Sequence, residues 1–136
     1  MKTRREWFAR FTVGAVFAIN LWCALTFLFD PGSYVGGFEL AGEPGRVVVQ
    51  AFGILFLLWN ATYPPVIFDP RTQKTLFKII LIQQTIGIIG ETWLALTLSP
   101  EHSALIATGA RFIVFDGAGL IAMGCAYGLL KRTPES

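Results

Sequence analysis

Hydrophobic positions fall in four long runs, about Phe8 to Phe29, Val47 to Phe68, Phe77 to Leu98 and Ala104 to Leu130, with short polar stretches between them. Each run reaches the roughly 20 residues that a helix rising 1.5 Å per residue needs to cross about 30 Å of hydrocarbon. The pattern predicts an all-α fold, an integral membrane four-helix bundle, as one transmembrane domain over residues 1–136. What the spans leave over is too short for a soluble domain. Lys2, Arg4 and Arg5 before the first run raise the alternative of a cleaved signal sequence. The run is long, however, and ends in Phe27, Leu28, Phe29, Asp30, Pro31 without a small-x-small site, so it reads as a retained helix.

Composition agrees with the pattern, since 54 % of the residues are hydrophobic and only 15 % charged. Charge adds a direction. Lys2, Arg4, Arg5 and Arg10 lie at the N-terminus, Arg71, Lys74 and Lys78 follow the second run, and Lys131 and Arg132 follow the fourth. The other two connections hold Arg46 with the acids Asp30, Glu39, Glu43 and Glu101. This asymmetry predicts a multi-pass cell-membrane protein with both termini cytoplasmic. It also argues against small dual-topology exporters and fluoride channels, whose antiparallel dimers need balanced charge. The net charge of +2 is therefore a topology signal and not a nucleic-acid footprint.

Ionisable groups inside the apolar runs narrow the chemistry. Glu91 sits in FKIILIQQTIGIIGETWLALTL, and Arg111 and Asp116 sit in ALIATGARFIVFDGAGLIAMGCAYGLL. Each costs roughly 2.5–3.5 kcal/mol to place in a bilayer, so such residues mark specific packing or function. At 1.5 Å per residue, Glu91 and Arg111 both fall about 10 Å below the outer boundary, in consecutive antiparallel helices. The expectation is an interhelical ion pair, with Asn20 completing its hydrogen bonds. A second polar layer is expected from Asp116 at about 18 Å, Asn60 at about 20 Å and Gln83 and Gln84 at about 21 Å. Gln84, Gly87 and Glu91 share one helix face, which points inward. Asp116 lacks a basic partner at its own depth; it is protonated, bonded to Asn60 or a glutamine, or reached by Arg111. The plain structural alternative is that these groups hold helices together, at about 0.6 kcal/mol per hydrogen bond.

The remaining features concern packing. Cys23 and Cys125 fall at opposite depths, which excludes a disulfide between them. His102, the single histidine, lies in a short turn, so no bis-histidine haem and no metal-ligand spacing is evident. Gly124 and Gly128 form a G-x-x-x-G step that Gly117 extends, and Gly14 with Ala18 resembles it on the first helix, inviting close helix approach within or between chains. Tyr63, Pro64 and Pro65 should kink or end the second span. Trp7, Trp22 and Trp93 suit interfacial anchors, whereas Trp59 lies deep enough to line a cavity. The connection from Asp30 to Arg46 is glycine-rich but acidic, which rules out a phosphate cradle; Tyr34, Val35, Phe38 and Leu40 suggest that it folds back over the bundle as a lid.

Four spans, an extended first outer connection and Arg111 on the fourth helix give a layout that resembles the DoxX-like small bacterial membrane proteins. The resemblance implies association with quinone or thiol redox systems in some members and carries over no catalytic residue. Three functions are consistent with the residues. The chain could bind an apolar ligand such as a quinone, isoprenoid or lipid through Asn20, Asn60, Gln84, Glu91, Arg111 and Asp116. It could be an accessory subunit of a larger membrane complex or homo-oligomer. It could be a membrane enzyme, an isomerase or redox-associated protein, using Glu91 or Asp116 for proton transfer.

Overall fold

The structure, a computed structural model, describes residues 3–131. Lys2 and Arg132, counted above toward orientation, lie outside the described residues. Helix α1 (Arg4–Phe29) starts at a capping box: the Glu6 amide donates to Thr3 Oγ1 at 3.3 Å, and the Thr3 amide donates to Glu6 Oε2 at 3.1 Å. Two orphan amides are satisfied reciprocally, which sets the first turn. The helix ends at Asp30, because Pro31 disfavours helical geometry in the residue before it.

Two short 3-10 turns, Pro31–Ser33 and Val35–Phe38, lead to α2 (Gly42–Asn60). Helix α2 thus begins five residues before the apolar run. A turn at Ala61 and Thr62 separates it from α3 (Tyr63–Phe68), whose Pro64 and Pro65 sit in the first helical turn, where a missing N–H costs nothing. The prolines therefore restart a helix and do not simply end one. Helices α4 (Lys74–Thr97) and α5 (Ser103–Lys131) complete the chain. With α2 and α3 taken as one span, four helical segments are long and apolar enough to cross a membrane.

Helix α1 is the hub: it packs along α2, α3 and α5, while α4 packs on α5 and α3. Between α2 and α4 no comparable seam exists. The aliphatic core lies where α1, α3, the start of α4 and the end of α5 meet, and includes Val13, Val16, Val66, Phe77, Ile80 and Met123. Ion pairing clamps the same end. Glu6 pairs with Arg71, and the Arg10 guanidinium donates to the Phe68 carbonyl. Toward the other end an aromatic chain replaces the aliphatic core: Phe27 meets Tyr34, Phe38 and Phe56, and Phe56 stacks on Phe112. Flat rings bridge a wider gap than aliphatic side chains close, and the cavities described below lie in this half.

Exposure runs opposite to that of a soluble protein. Trp22, Phe29 and Leu96 are 70, 83 and 81 % exposed, whereas Asn20, Asn60, Gln84 and Asp116 are all buried. Trp7 and Trp93 also face outward, as interfacial anchors would.

Close helix approach occurs at glycines other than the G-x-x-x-G step. A Cβ at Gly14, Gly117, Gly124 or Gly128 would meet nothing within 4 Å, so none of the four serves packing within the chain. At Gly53 a Cβ would stand 2.8 Å from the Ala24 carbonyl oxygen and 2.9 Å from Leu28 Cγ. The α1–α2 seam is drawn together there, and Gln50 Nε2 donates to the Leu28 carbonyl at 3.1 Å beside it.

Candidate functional site

The gap between α2 and α4 is a cleft of about 590 Å³. Each wall is one helix face. Helix α2 contributes Phe52, Leu55, Phe56 and Trp59, and α5 contributes Leu105, Thr108, Gly109, Phe112 and Asp116, both at spacings of three and four that stack side chains on one side. Helix α4 contributes Gln84, Glu91, Leu94, Ala95 and Leu98, which cover about 21 Å along its axis. The cleft is therefore long, largely apolar and aromatic, with polar groups gathered toward its deep end.

Gln84 organises those groups. Fully buried, it donates from Nε2 to Asp116 Oδ1 at 2.8 Å and accepts from the Tyr63 hydroxyl at 3.3 Å. The Asp116 carboxyl also interacts with that of Glu91, whose Oε2 is buried without a hydrogen-bond partner. Both carboxyl groups line the cleft. Trp59 closes the layer. Its ring lies across Gly87, where a Cβ would be 3.0 Å from Trp59 Cη2 and 3.5 Å from Asp116 Oδ2, and its buried indole N–H has no partner. Asn20 reaches the same space from α1; it is 6 % exposed and makes no hydrogen bond among the described residues. A head group entering here would meet a donor in the Trp59 indole, an amide in Asn20, and a carboxyl pair that can both give and accept hydrogen bonds.

The Gln84, Gly87 and Glu91 face turns inward, and Gln84 joins Asp116. Two expected contacts are absent. Glu91 and Arg111 form no ion pair: Glu91 lines the cleft, whereas Arg111 lines a neighbouring cavity. Matching depths did not bring them together because depth leaves azimuth open. Arg111 and Asp116 are five residues apart on α5, about 140° around the helix, and it is Asp116 that faces Glu91. Asn60 turns back along its own helix, donating from Nδ2 to the Phe56 carbonyl at 2.7 Å, and does not reach Asp116. Gln83 lies off the network, accepting from the Thr62 hydroxyl at 3.2 Å. Cys23 and Cys125 are both free thiols.

Sequence reading overlooked Glu39. Held in the left-handed region at φ 54°, it caps α5 from a distance: Oε1 accepts the Ala104 and Leu105 amides at 3.2 and 3.3 Å, and Oε2 lies 2.6 Å from His102 Nδ1. Thr108 Oγ1 donates to the Gly37 carbonyl at 2.7 Å, and Phe38 drops between Phe27 and Phe52. The connection thus folds back on the bundle, where Phe38 lines the cleft and Ser33, Tyr34, Gly36 and Gly37 line a neighbouring cavity. No local sequence signal marks a cap whose partners lie 63 to 66 residues away.

The His102 hydrogen bond, then the two α5 amides, hold the Glu39 carboxyl below its ordinary 4.5. A folded-state value below the unfolded one stabilises docking above pH 4.5 and is lost as pH falls through the lowered value. Hydrogen exchange of the Val35–Leu40 amides, corrected for intrinsic rates, is expected to accelerate in that acidic window. Glu39→Gln should show fast exchange already at neutral pH; identical protection in both proteins would show that the carboxylate does not hold the loop.

No family model, curated protein or solved structure matches this chain.

Proposed function

We propose that the chain is a multi-pass membrane protein, with both termini on the cytoplasmic side, that binds an elongated apolar ligand with a hydrogen-bonding head in the cleft between α2 and α4. The observation that carries this reading is the cleft itself: an aromatic trough beside unsatisfied buried polar atoms, Glu91 Oε2 and Trp59 Nε1. Buried polar groups are ordinarily hydrogen-bonded, and a ligand head would satisfy these. A cavity of this size and lining suits the head and first units of an isoprenoid quinone, an isoprenoid alcohol or a lipid. Orientation rests on the basic residues at the α3–α4 connection and the termini. Reporters at Arg71 and Gly42 are expected inside and outside respectively, and the reverse would refute it.

Two variants test the ligand reading after purification in a mild membrane mimic and mass spectrometry of co-purifying small molecules. Ala95→Phe fills the trough while leaving every polar group in place, its ring lying one turn beyond Glu91; Asp116→Asn keeps size and neutral hydrogen bonding but removes the carboxyl. Both are expected to retain helicity and assembly while losing most of one reproducible apolar compound. Undiminished compound in Ala95→Phe, or none in the unaltered protein, would refute the proposal. The carboxyl pair favours a second reading, proton transfer to or from the bound head, with Glu91 and Asp116 as the exchanging groups.

A further inference from the structure

Beside the cleft lies a second cavity of about 690 Å³, between α1, α5 and the two 3-10 turns. On α5 it is lined by Ala104, Ala107, Thr108, Arg111, Phe112 and Phe115, of which Thr108 and Phe112 also line the cleft. This helix face lies one residue step, about 100°, from the face that lines the cleft. Helix α5 is thus a shared wall with carboxyls toward one chamber and a guanidinium toward the other. We propose that this second chamber binds an anionic amphiphile, its phosphate or carboxylate head held by Arg111 and its chain lying against α1 and α5.

Arg111 has no ion-pair or hydrogen-bond partner among the described residues. The nearby acids are engaged elsewhere: Glu91 and Asp116 with each other and Gln84, Glu39 with His102 and the start of α5. A guanidinium cannot shed its proton, so its charge persists wherever it is placed. It sits about 12 Å along α5 from Ser103, inside the apolar span, where an unmatched charge is costly. The counter-charge therefore comes from outside the chain. Its planar fork fits the paired oxygens of a phosphate or carboxylate.

Further polar residues border the chamber. Asn20, 6 % exposed and without a hydrogen-bond partner among the described residues, lies between it and the cleft, and Ser33 and Tyr34 line it from the turns. Ile19, Ala107 and Arg111 are exposed at its edge on the side of the bundle between α1 and α5, and Ser33 and Gly36 at its end. An apolar wall running along the flank beside the guanidinium suits an amphiphile better than a soluble anion. The inference uses the membrane reading of the spans and is independent of what occupies the cleft.

The full-length protein in an uncharged detergent can be titrated with phosphatidylglycerol, oleate, diacylglycerol or inorganic phosphate, with bound stoichiometry read by native mass spectrometry. Phosphatidylglycerol and oleate are expected to bind one per chain, and diacylglycerol at least about tenfold more weakly, the factor that a charge-assisted head contact supplies. Arg111→Gln should weaken phosphatidylglycerol by a similar factor, while Arg111→Lys keeps part of it. Ala107→Trp, which blocks the flank but leaves the arginine, should do the same and covers the case in which Arg111→Gln fails to fold. Both variants should retain the cleft compound, and Ala95→Phe should retain phosphatidylglycerol, so this proposal and the cleft proposal fail separately. Equal binding of diacylglycerol, undiminished binding in Arg111→Gln or Ala107→Trp, or inorganic phosphate binding as tightly as the lipid would each overturn the amphiphile site.

Discussion

Gln84→Leu is expected to destabilise the bundle by about 2 kcal/mol or more, far beyond the loss of apolar contact, because it removes the group on which two others depend. Its amide bonds both the Asp116 carboxyl and the Tyr63 hydroxyl, whose other polar neighbours are the Glu91 carboxyl and the Trp59 side chain respectively. Leaving two buried polar groups unsatisfied costs about 1–3 kcal/mol each in soluble proteins. In membrane proteins the unfolded helices find partners too, and single hydrogen bonds average about 0.6 kcal/mol with a maximum near 1.7. The lower end of the first range therefore governs, taken twice. Unfolding in mixed detergent micelles measures it, and Tyr63→Phe made in the Gln84→Leu background should recover part of the loss by deleting one orphaned group. A shift within about 0.5 kcal/mol for Gln84→Leu would mean that Asp116 and Tyr63 find other partners.

The second large effect is steric. Gly53→Val should disrupt the α1–α2 seam, at about 3 kcal/mol or failure to assemble, and Gly53→Ala should cost about 1–3 kcal/mol. A Cβ there meets a backbone carbonyl at 2.8 Å, which no side-chain rotation can relieve, so α2 must move away from α1. Gly124→Ala is the control. It gains up to about 1 kcal/mol of helix propensity and meets no atom of the same chain. If both alanine variants behaved alike, the seam would not be limited by contact at Gly53; if Gly124→Ala alone disturbed the purified protein, a partner would cover that face.

The four spans were legible because length and apolar content are properties of consecutive residues. The position of each polar side chain along its helix was equally legible, since a helix advances by a constant rise. Depth and the shared face of Gln84, Gly87 and Glu91 placed Asn20, Gln84, Glu91 and Asp116 near one another, and all four line the cleft. Where polar residues do not share one face, as on α5 with Arg111 and Asp116, the azimuth that turns toward a given neighbour is decided by the packing around the helix. That is why Arg111, level with Glu91 by count along the helices, faces a different chamber from it, and why Asn60 bonds within its own helix. The G-x-x-x-G step makes no close approach within the chain for the same reason: spacing shows that a face is small, while closeness depends on what stands opposite. Glu39 needed the fold most. Its partners at the start of α5 become neighbours only after three helices have crossed between them, so while the apolar residues of the connection suggested that it folds back, the carboxylate that ties it down was decided by tertiary structure alone.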